Sequence, residues 1–201
     1  LLNVYGDFAA GRFLGRIEWE LKGFQLDREA TRAAILRIMD GFGGHWELHY
    51  TAQRPRLSIW CSKQDHCLLD LLWRHRAGEL EAEIPFILSN HEALGSVARD
   101  FGIPFHCLPL TSDTKVRTEA EALRLLEEYR IDLVVLAKYM QVLSDEFLRA
   151  FPKVINIHHS FLPAFAGAQP YHQAHARGVK VIGASAHYVT PELDAGPIIE
   201  Q

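Results

Sequence analysis

An amide and an imidazole stand two residues apart in the segment "INIHHSFLPAFAGAQPYHQ", at Asn156 and His158. Side chains two apart on a strand point to the same face, so both are predicted to reach one cleft. A carboxylate, Asp194, follows a later apolar run. An amide N–H and a protonated imidazole can stabilise an oxyanion, while a carboxylate orients the ring or a water molecule. The spacing alone leaves open that Asn156 only shapes a turn at the strand end.

Two other site types compete for the same stretch. His172 and His175 have the spacing of two metal ligands on one helical face, but no HExxH motif and no obvious third ligand accompany them, so we expect no metal. Ser160 and Asp194 suggest a nucleophilic triad. However, "GASAH" at Gly183–His187 is not the GxSxG motif, and Ser160 is predicted to cap a loop.

Strand and helix patterns alternate from residue 53 to residue 201, which predicts a doubly wound, mainly parallel sheet. The predicted strands are "RLSIWCS", "EIPFILS", "FHCLPL", "IDLVVLAKYM", "KVINIHHS" and "VKVIGASAHYV". They are mostly continuous apolar runs, as expected when helices cover both faces. Ser144 is a plausible N-cap of the helix "SDEFLRAF". In the first of these strands, Trp60 is larger than the residue expected in a buried parallel strand. Ligands of such sheets bind beyond the carboxyl ends of the strands, where "NIHHS" lies.

Residues 1–52 form a separate pattern that ends near "TAQRPR". A hairpin of "LLNVY" and "RFLGRIEWEL" is followed by the helix "LDREATRAAILRIMDGFGG", with Asp27 as a plausible N-cap, and by a strand at "HWELHY". We therefore predict a small α+β module at 1–52 and an α/β domain at 53–201.

Composition excludes several classes of protein. The formal net charge is −4 and no basic cluster is present, so no nucleic-acid partner is expected. No stretch approaches the ~20 apolar residues of a membrane helix, so no membrane association is expected. Three cysteines without a CxxC pair fit a reducing cytoplasm better than a disulfide framework.

The first turn after a strand of the second domain reads "CSKQDHC" and contains no glycine. Dinucleotide and phosphate loops need glycines there, so nicotinamide cofactors and ATP are not expected. Two interpretations of the turn stay open. Either Asp65 caps the following helix, or Lys63, Gln64, Asp65 and His66 line the cleft.

The segments "INIHHSFLPAFAGAQPYHQA" and "GASAHYVTPELDAGPIIEQ" resemble the formyl-folate transferase superfamily. Together with "SKQDHCLLDLLWR" they resemble its 10-formyltetrahydrofolate deformylase branch, over Arg54 through Gln201. The first region resembles the second half of an ACT domain, a ferredoxin-type module that senses amino acids. The resemblance implies that an ACT strand and helix, and the end of the catalytic domain, are missing from this chain.

The resemblance also implies roles for individual residues. Asn156, His158 and Asp194 match the catalytic trio of the family. Folate contacts are implied for "LAKYMQVLS" and for the loop that closes over the pterin. The residues concerned are Gln141, Val142, Leu143, His187, Val189 and Thr190.

The activity implied is hydrolysis of 10-formyltetrahydrofolate to tetrahydrofolate and formate, without a cofactor. It would supply formate for purine synthesis and balance the one-carbon folate pools. The glycine-free first turn agrees with water as the acceptor, because a phosphorylated acceptor has no cradle there. Two alternatives remain: transfer of the formyl group to a small amine, or a non-catalytic protein that senses folate or an amino acid. The ACT resemblance further implies an amino-acid effector and a homo-oligomer.

Overall fold

A computed structural model describes residues 1–167 and 169–201. The chain divides into two compact units, Leu1–Thr51 and Ala52–Gln201.

The first unit contains an antiparallel hairpin and one helix. Strands β1 (Leu2–Asp7) and β2 (Arg12–Ile17) pair in a two-stranded sheet. Helix α1 (Arg28–Met39) begins after Asp27, whose Oδ1 accepts a 2.8 Å hydrogen bond from the Ala30 N–H. The predicted N-cap is therefore confirmed.

The predicted strand "HWELHY" is wrong, because residues 45–50 pair with no strand among the described residues. Aromatic side chains of this segment instead contact α1. The Arg28 guanidinium lies 4.5 Å from the centre of the Tyr50 ring, and that of Arg32 lies 5.3 Å from the centre of the Trp46 ring. Cation–π contacts of this kind fix the aromatic positions without requiring a ladder of backbone hydrogen bonds.

The second unit is built on one seven-stranded sheet with the order β5-β4-β3-β6-β7-β8-β9. Its strands are β3 (Arg56–Cys61), β4 (Glu83–Ser89), β5 (Phe105–Cys107), β6 (Leu133–Leu136), β7 (Val154–His158), β8 (Ser185–Tyr188) and β9 (Ile198–Glu200). Strands β3 to β7 pair in parallel, whereas β8 and β9 are antiparallel additions at one edge. The predicted mainly parallel α/β sheet is confirmed, although the strand predicted at "VKVIGASAHYV" is shortened to β8.

The helices of the second unit are α2 (His66–Arg76), α3 (Gly95–Asp100, after a 3₁₀ turn at Glu92–Leu94), α4 (Lys115–Glu128), α5 (Asp145–Ala150) and α6 (Pro170–Ala176). Helices α2 to α5 lie between successive parallel strands, and α6 lies between β7 and the antiparallel β8. Ser144 caps α5 by accepting a 3.1 Å bond from the Phe147 N–H, as predicted.

Two apolar clusters lie on opposite faces of the sheet. Trp60 belongs to one of them and is only 1% exposed. Its ring meets the rings of Tyr139 and Phe147 edge-on, at 5.4 Å in each case, and its Nε1–H donates to the Ser58 hydroxyl at 2.9 Å. The large residue thus fills the space between the sheet and α5 with its polar atom satisfied.

The strand order determines where in the sheet the functional cleft lies. The chain adds β4 and β5 on one side of β3 and then returns to add β6 on its other side. Loops that leave β3 and β6 therefore diverge at the carboxyl end of the sheet. Such a switch point is where α/β sheets bind ligands.

Candidate active site

A cleft of about 740 Å³ opens at the carboxyl ends of β3, β6 and β7. This volume lies within the range of small-molecule sites. All nine residues singled out from the sequence line it: Gln141, Val142, Leu143, Asn156, His158, His187, Val189, Thr190 and Asp194. The fold thus brings together residues separated by more than fifty positions.

Asn156 and His158 reach the cleft from the end of β7, as the two-residue period predicts. In the ladders on either side, Asn156 pairs with Leu136 of β6 and with His187 of β8. His158 is only 5% exposed. Both polar groups are therefore held by a strand inside the sheet, where their backbone cannot shift easily.

Asp194 approaches His158 from the loop after β8. Its Oδ2 lies 3.4 Å from His158 Nδ1 and accepts a 2.9 Å hydrogen bond from the Gly167 N–H. The other ring nitrogen, Nε2, lies 3.2 Å from the Phe165 carbonyl. Since a carbonyl and a carboxylate only accept, the ring satisfies both contacts when each nitrogen carries a hydrogen. Asp194 and the Phe165 carbonyl therefore hold the ring from both sides.

The backbone of Asp194 has a φ of +55°, in the left-handed region. Aspartate enters this region more easily than most residues, and such conformations concentrate at functional sites. Two residues further on, Gly196 passes so close to the Tyr188 carbonyl that a Cβ would overlap it. The Tyr188 N–H in turn donates to the Pro197 carbonyl at 2.9 Å. The loop that carries Asp194 therefore starts at the end of β8 and returns to it, because Gly196 and Pro197 contact the Tyr188 backbone.

His187 is 2% exposed and its Nδ1 lies 3.0 Å from the Tyr188 carbonyl. Its Nε2 lies 3.3 Å from the Asn156 amide nitrogen and 3.8 Å from Asp194 Oδ1. His187 therefore contacts the candidate catalytic amide directly, in addition to lining the cleft.

The segment Gln141–Leu143 forms the opposite wall of the cleft. Leu143 is buried in the core, whereas Val142 is 59% exposed. Just before the segment, the Met140 N–H donates to Ser62 Oγ at 3.1 Å. Just after it, the Ser144 N–H donates to Glu119 Oε1 at 2.9 Å. The backbone of this wall is thus anchored at each end.

The glycine-free first turn lies at the same cleft. Lys63 and Gln64 line it, but Asp65 and His66 do not, so only half of that prediction is confirmed. The alternative is confirmed only in position, because Asp65 is the N-cap residue of α2 but its side chain makes no capping hydrogen bond. Its φ of −97° and ψ of −22° differ from the extended backbone that lets a side chain reach forward to a helix N–H.

Three further residues line the cleft: Ser62 and Asn90, to which sequence reasoning gave no role, and Lys138, which it included only within the segment "LAKYMQVLS". Ser62 Oγ donates to Asn90 Oδ1 at 2.6 Å, and both side chains are buried. Lys138 follows β6 with a φ of +60°. All three directly follow, or nearly follow, an apolar strand, which is the signal that identified Asn156 and His158 and could have found these residues too.

The remaining histidines of the motif have separate surroundings. The His159 ring centre lies 5.3 Å from that of His158 and 5.2 Å from that of Tyr171. Burial, together with the positive charges of Lys138 and His158, lowers the pKa of His159. The Ser160 hydroxyl donates to the Ala164 carbonyl at 2.8 Å, which confirms the predicted loop cap.

Within the described part of the chain, no three His, Cys, Asp or Glu side chains are grouped so that they could hold a metal ion. No described helix is long and apolar enough to span a membrane.

The formyl transferase domain family matches residues 56–201. A formyltetrahydrofolate deformylase from Synechocystis is 57% identical over 199 residues, which are 99% of this chain and 70% of that protein. The chain belongs to the formyl transferase family. Within that family its relatives are deformylases, as the sequence motifs predicted.

Further formyl transferase relatives agree. The formyltetrahydrofolate deformylase of Bacillus subtilis is 45% identical over 97% of this chain and 65% of its own length. The crystal structure of a formyltetrahydrofolate deformylase from Pseudomonas syringae matches with a TM-score of 0.94 and 43% identity, over 100% of this chain and 67% of that chain. The chain thus spans 70% of the length of the Synechocystis relative and 65% of the length of the Bacillus relative.

A second enzyme of the formyl transferase family has the same sheet. Glycinamide ribonucleotide transformylase 1 from Symbiobacterium toebii matches with a TM-score of 0.68 and 32% identity, over 77% of this chain and 74% of that chain. The fold therefore does not by itself separate hydrolysis from transfer, and the cleft must decide between them.

Proposed function

We propose that the chain hydrolyses 10-formyltetrahydrofolate to tetrahydrofolate and formate. The observation that carries the proposal is the 3.4 Å approach of Asp194 to His158, in the same cleft as the Asn156 amide. Relatives named formyltetrahydrofolate deformylase support the substrate. The reaction needs only folate and water, so no cofactor is invoked.

The chemistry follows from the positions of the three groups. A water oxygen attacks the formyl carbon, a C–O bond forms, and the carbonyl electron pair moves to oxygen. A free N–H of Asn156 donates to this oxyanion. The His158 imidazolium adds its charge, and its Nε2–H exchanges the Phe165 carbonyl for the oxyanion, since catalytic hydrogen bonds often form fully only with substrate present.

Collapse of the tetrahedral intermediate completes the reaction. The attacking water gives up both protons: N10 of the folate gains one, and the other passes to solvent. The C–N bond then breaks to release tetrahydrofolate and formate. Asp194 holds the His158 ring in place and stabilises its charge, and it can also orient the attacking water. The wall at Gln141–Leu143 and the loop with Val189 and Thr190 would hold the pterin.

The test is formate release from 10-formyltetrahydrofolate with no amine present, measured on the natural full-length protein. Asp194→Asn should lower the rate by ~10²–10⁴, the usual contribution of acid–base groups. Its amide oxygen can still accept from the Gly167 N–H, so the fold should persist. Glu192→Gln makes the same chemical change at an exposed position of the same loop and should keep full activity. Unchanged hydrolysis in Asp194→Asn would sink the proposal.

Transfer to a small amine is the second candidate, supported by the shared fold with a transformylase. The first turn argues against a phosphorylated acceptor, because it contains no glycine and so offers no backbone cradle for a phosphate. Candidate amines added to the assay should leave formate production unchanged. A formylated amine formed at the expense of formate would favour transfer. Tight folate binding with no turnover would instead favour a non-catalytic sensor.

The first unit carries further proposals. We propose that Leu1–Thr51 is part of an ACT-like module that binds an amino-acid effector and pairs in a homo-oligomer. The support is its hairpin followed by a helix. Calorimetric titration of the full-length protein with amino acids tests the effector, and light scattering tests the oligomer. We further propose a location in the cytoplasm, whose reducing conditions the free thiols of Cys61, Cys67 and Cys107 fit.

A further inference from the structure

Two lysines reach the cleft from neighbouring strands. Lys63 follows β3 and Lys138 follows β6, and these strands pair in parallel with Trp60 beside Leu136. The hydrogen bond from the Met140 N–H to Ser62 Oγ joins the two loops. Both lysines line the cleft that also contains the candidate catalytic groups.

The backbone at Lys138 is in a conformation that disfavours a side chain. Its φ of +60° lies in the left-handed region, which glycine adopts freely and lysine does not. A long cationic residue there needs a compensating reason, and strained positions cluster at sites of function. The half-buried side chain lies in the cleft itself, so a bound ligand can supply that reason.

The charges of the cleft are unbalanced. Neither Lys63 nor Lys138 forms an ion pair or a hydrogen bond with another described residue. Asp194 is the one carboxylate among the described residues that line the cleft, and it already contacts His158 and the Gly167 N–H. Two cations therefore remain without an anionic partner.

The position of Lys138 relative to the reacting groups can be judged from His159. The positive charge of Lys138 contributes to the lowered pKa of this ring, whose centre lies 5.3 Å from that of His158. Lys138 lines the same cleft as His158, His159 and Asp194, so its ammonium shares that space with the candidate reacting groups.

We propose that Lys138, assisted by Lys63, forms a carboxylate subsite that receives formate as it leaves the tetrahedral intermediate. The proposal rests on the hydrolysis proposed above. The formyl group of the substrate is neutral, whereas formate is an anion at neutral pH. An unpaired ammonium in the cleft where the formyl carbon reacts therefore favours the charge that develops during hydrolysis. The same charge disfavours a protonated amine as acceptor.

Folate also carries carboxylates, on its glutamyl end, and the experiment must separate the two sources. Formate inhibition is measured for the wild type, Lys138→Met and Lys138→Arg in the full-length protein. Loss of a charge-assisted contact should raise the inhibition constant for formate by about tenfold in Lys138→Met. Lys138→Arg should stay near the wild type. Lys153→Met removes an exposed lysine at the opposite end of β7 and should change nothing.

The second arm compares two substrates by their Michaelis constants: the natural formyl folate and a formyl pterin that lacks the glutamyl group. The ratio of the two constants should be the same in the wild type and in Lys138→Met. A changed ratio with an unchanged inhibition constant for formate would assign the subsite to the glutamyl carboxylate and overturn the formate assignment. Unchanged values in both arms would overturn the subsite altogether.

Lys138→Gly guards against misfolding. Glycine adopts this φ without strain, so the melting temperature of the variant should equal or exceed that of the wild type. The variant should nevertheless lose formate inhibition, as Lys138→Met does. Direct titration with isotope-labelled formate, followed by NMR, separates this inference from the proposed function. A protein that never releases formate from folate but binds it through Lys138 would refute the hydrolysis and keep the carboxylate subsite. Equal formate affinity in the wild type and Lys138→Gly would refute the subsite.

Discussion

His187 holds the amide of Asn156 across the β7–β8 ladder, with its Nε2 3.3 Å from the amide nitrogen. The other ring nitrogen faces the Tyr188 carbonyl at 3.0 Å, and a carbonyl only accepts, so Nδ1 carries the hydrogen. In the neutral ring Nε2 is then an acceptor, which takes one N–H of Asn156 and leaves the other for the cleft. His187 is a positioning residue for the amide as well as a wall of the site.

We expect His187→Leu to lower kcat by about tenfold, because a hydrogen bond that orients the amide is lost. KM should change by a smaller factor than kcat, since the other walls of the cleft are intact. His187→Gln offers a side-chain oxygen as acceptor and should recover part of the rate. Separate measurement of kcat and KM for both variants checks this. Equal losses in the two variants would point to packing alone.

Gly196→Ala should destabilise the protein and reduce its activity together. A Cβ at this position would overlap the Tyr188 backbone, which cannot move aside without breaking β8. Overpacking of this kind costs about 1–3 kcal/mol. Thermal unfolding and formate release report the two effects. Gly41→Ala serves as the control, because its Cβ would meet the Ile38 carbonyl oxygen at an ordinary 3.8 Å.

Stability should decrease in alkaline solution because of Cys61. Burial raises the pKa of this thiol from 9.0 to about 11. The folded state then holds its proton at pH values where the unfolded chain loses it, so the stabilisation is complete below pH 9 and is lost towards pH 11. The loss can reach roughly 2 kcal/mol.

Cys61→Ser removes this titration and should flatten the dependence of the unfolding free energy on pH in that window. Denaturant unfolding at a series of pH values measures it. Burial also raises the pKa values of Cys67, Cys107 and Tyr139, so part of the slope, with the same sign, should remain in the variant. Identical slopes in the two proteins would contradict the assignment to Cys61.

His159 should titrate below an ordinary histidine, since burial and the charges of Lys138 and His158 lower its pKa. Lys138→Met removes one of these cations and should move the titration upward, while burial keeps it below the ordinary value. NMR of the imidazole protons follows the ring directly. A titration that Lys138→Met leaves in place would mean that the ammonium lies further from the ring than the structure has it.

Prediction from sequence succeeded where the deciding residues are close neighbours in the chain. Asp27 and Ser144 were predicted as caps from their residue types at the starts of helical patterns. The structure confirms both, because each side chain accepts a hydrogen bond from the N–H three residues ahead. Asn156 and His158 were assigned to one face because strand side chains alternate. Apolar runs of four to seven residues were sufficient to place the parallel strands.

Prediction failed where the outcome depends on distant partners. The segment at residues 45–50 has strand-like residues, yet its aromatic rings lie beneath arginines of α1 instead of entering a sheet. Asp65 has the residue type of a cap but not the backbone angles. The large side chain of Trp60 is accommodated by contacts with the rings of Tyr139 and Phe147, which lie far from it in the sequence.

The sequence by itself determined the α/β class, the family and the polar residues that stand at strand ends. These depend on local periodicity and on long motifs. Only the tertiary structure decided that His187 orients Asn156, that Asp194 lies 3.4 Å from His158, and that Lys138 enters the cleft in a left-handed conformation. Strand order and cross-strand register set these relationships, because they join residues that no local pattern connects.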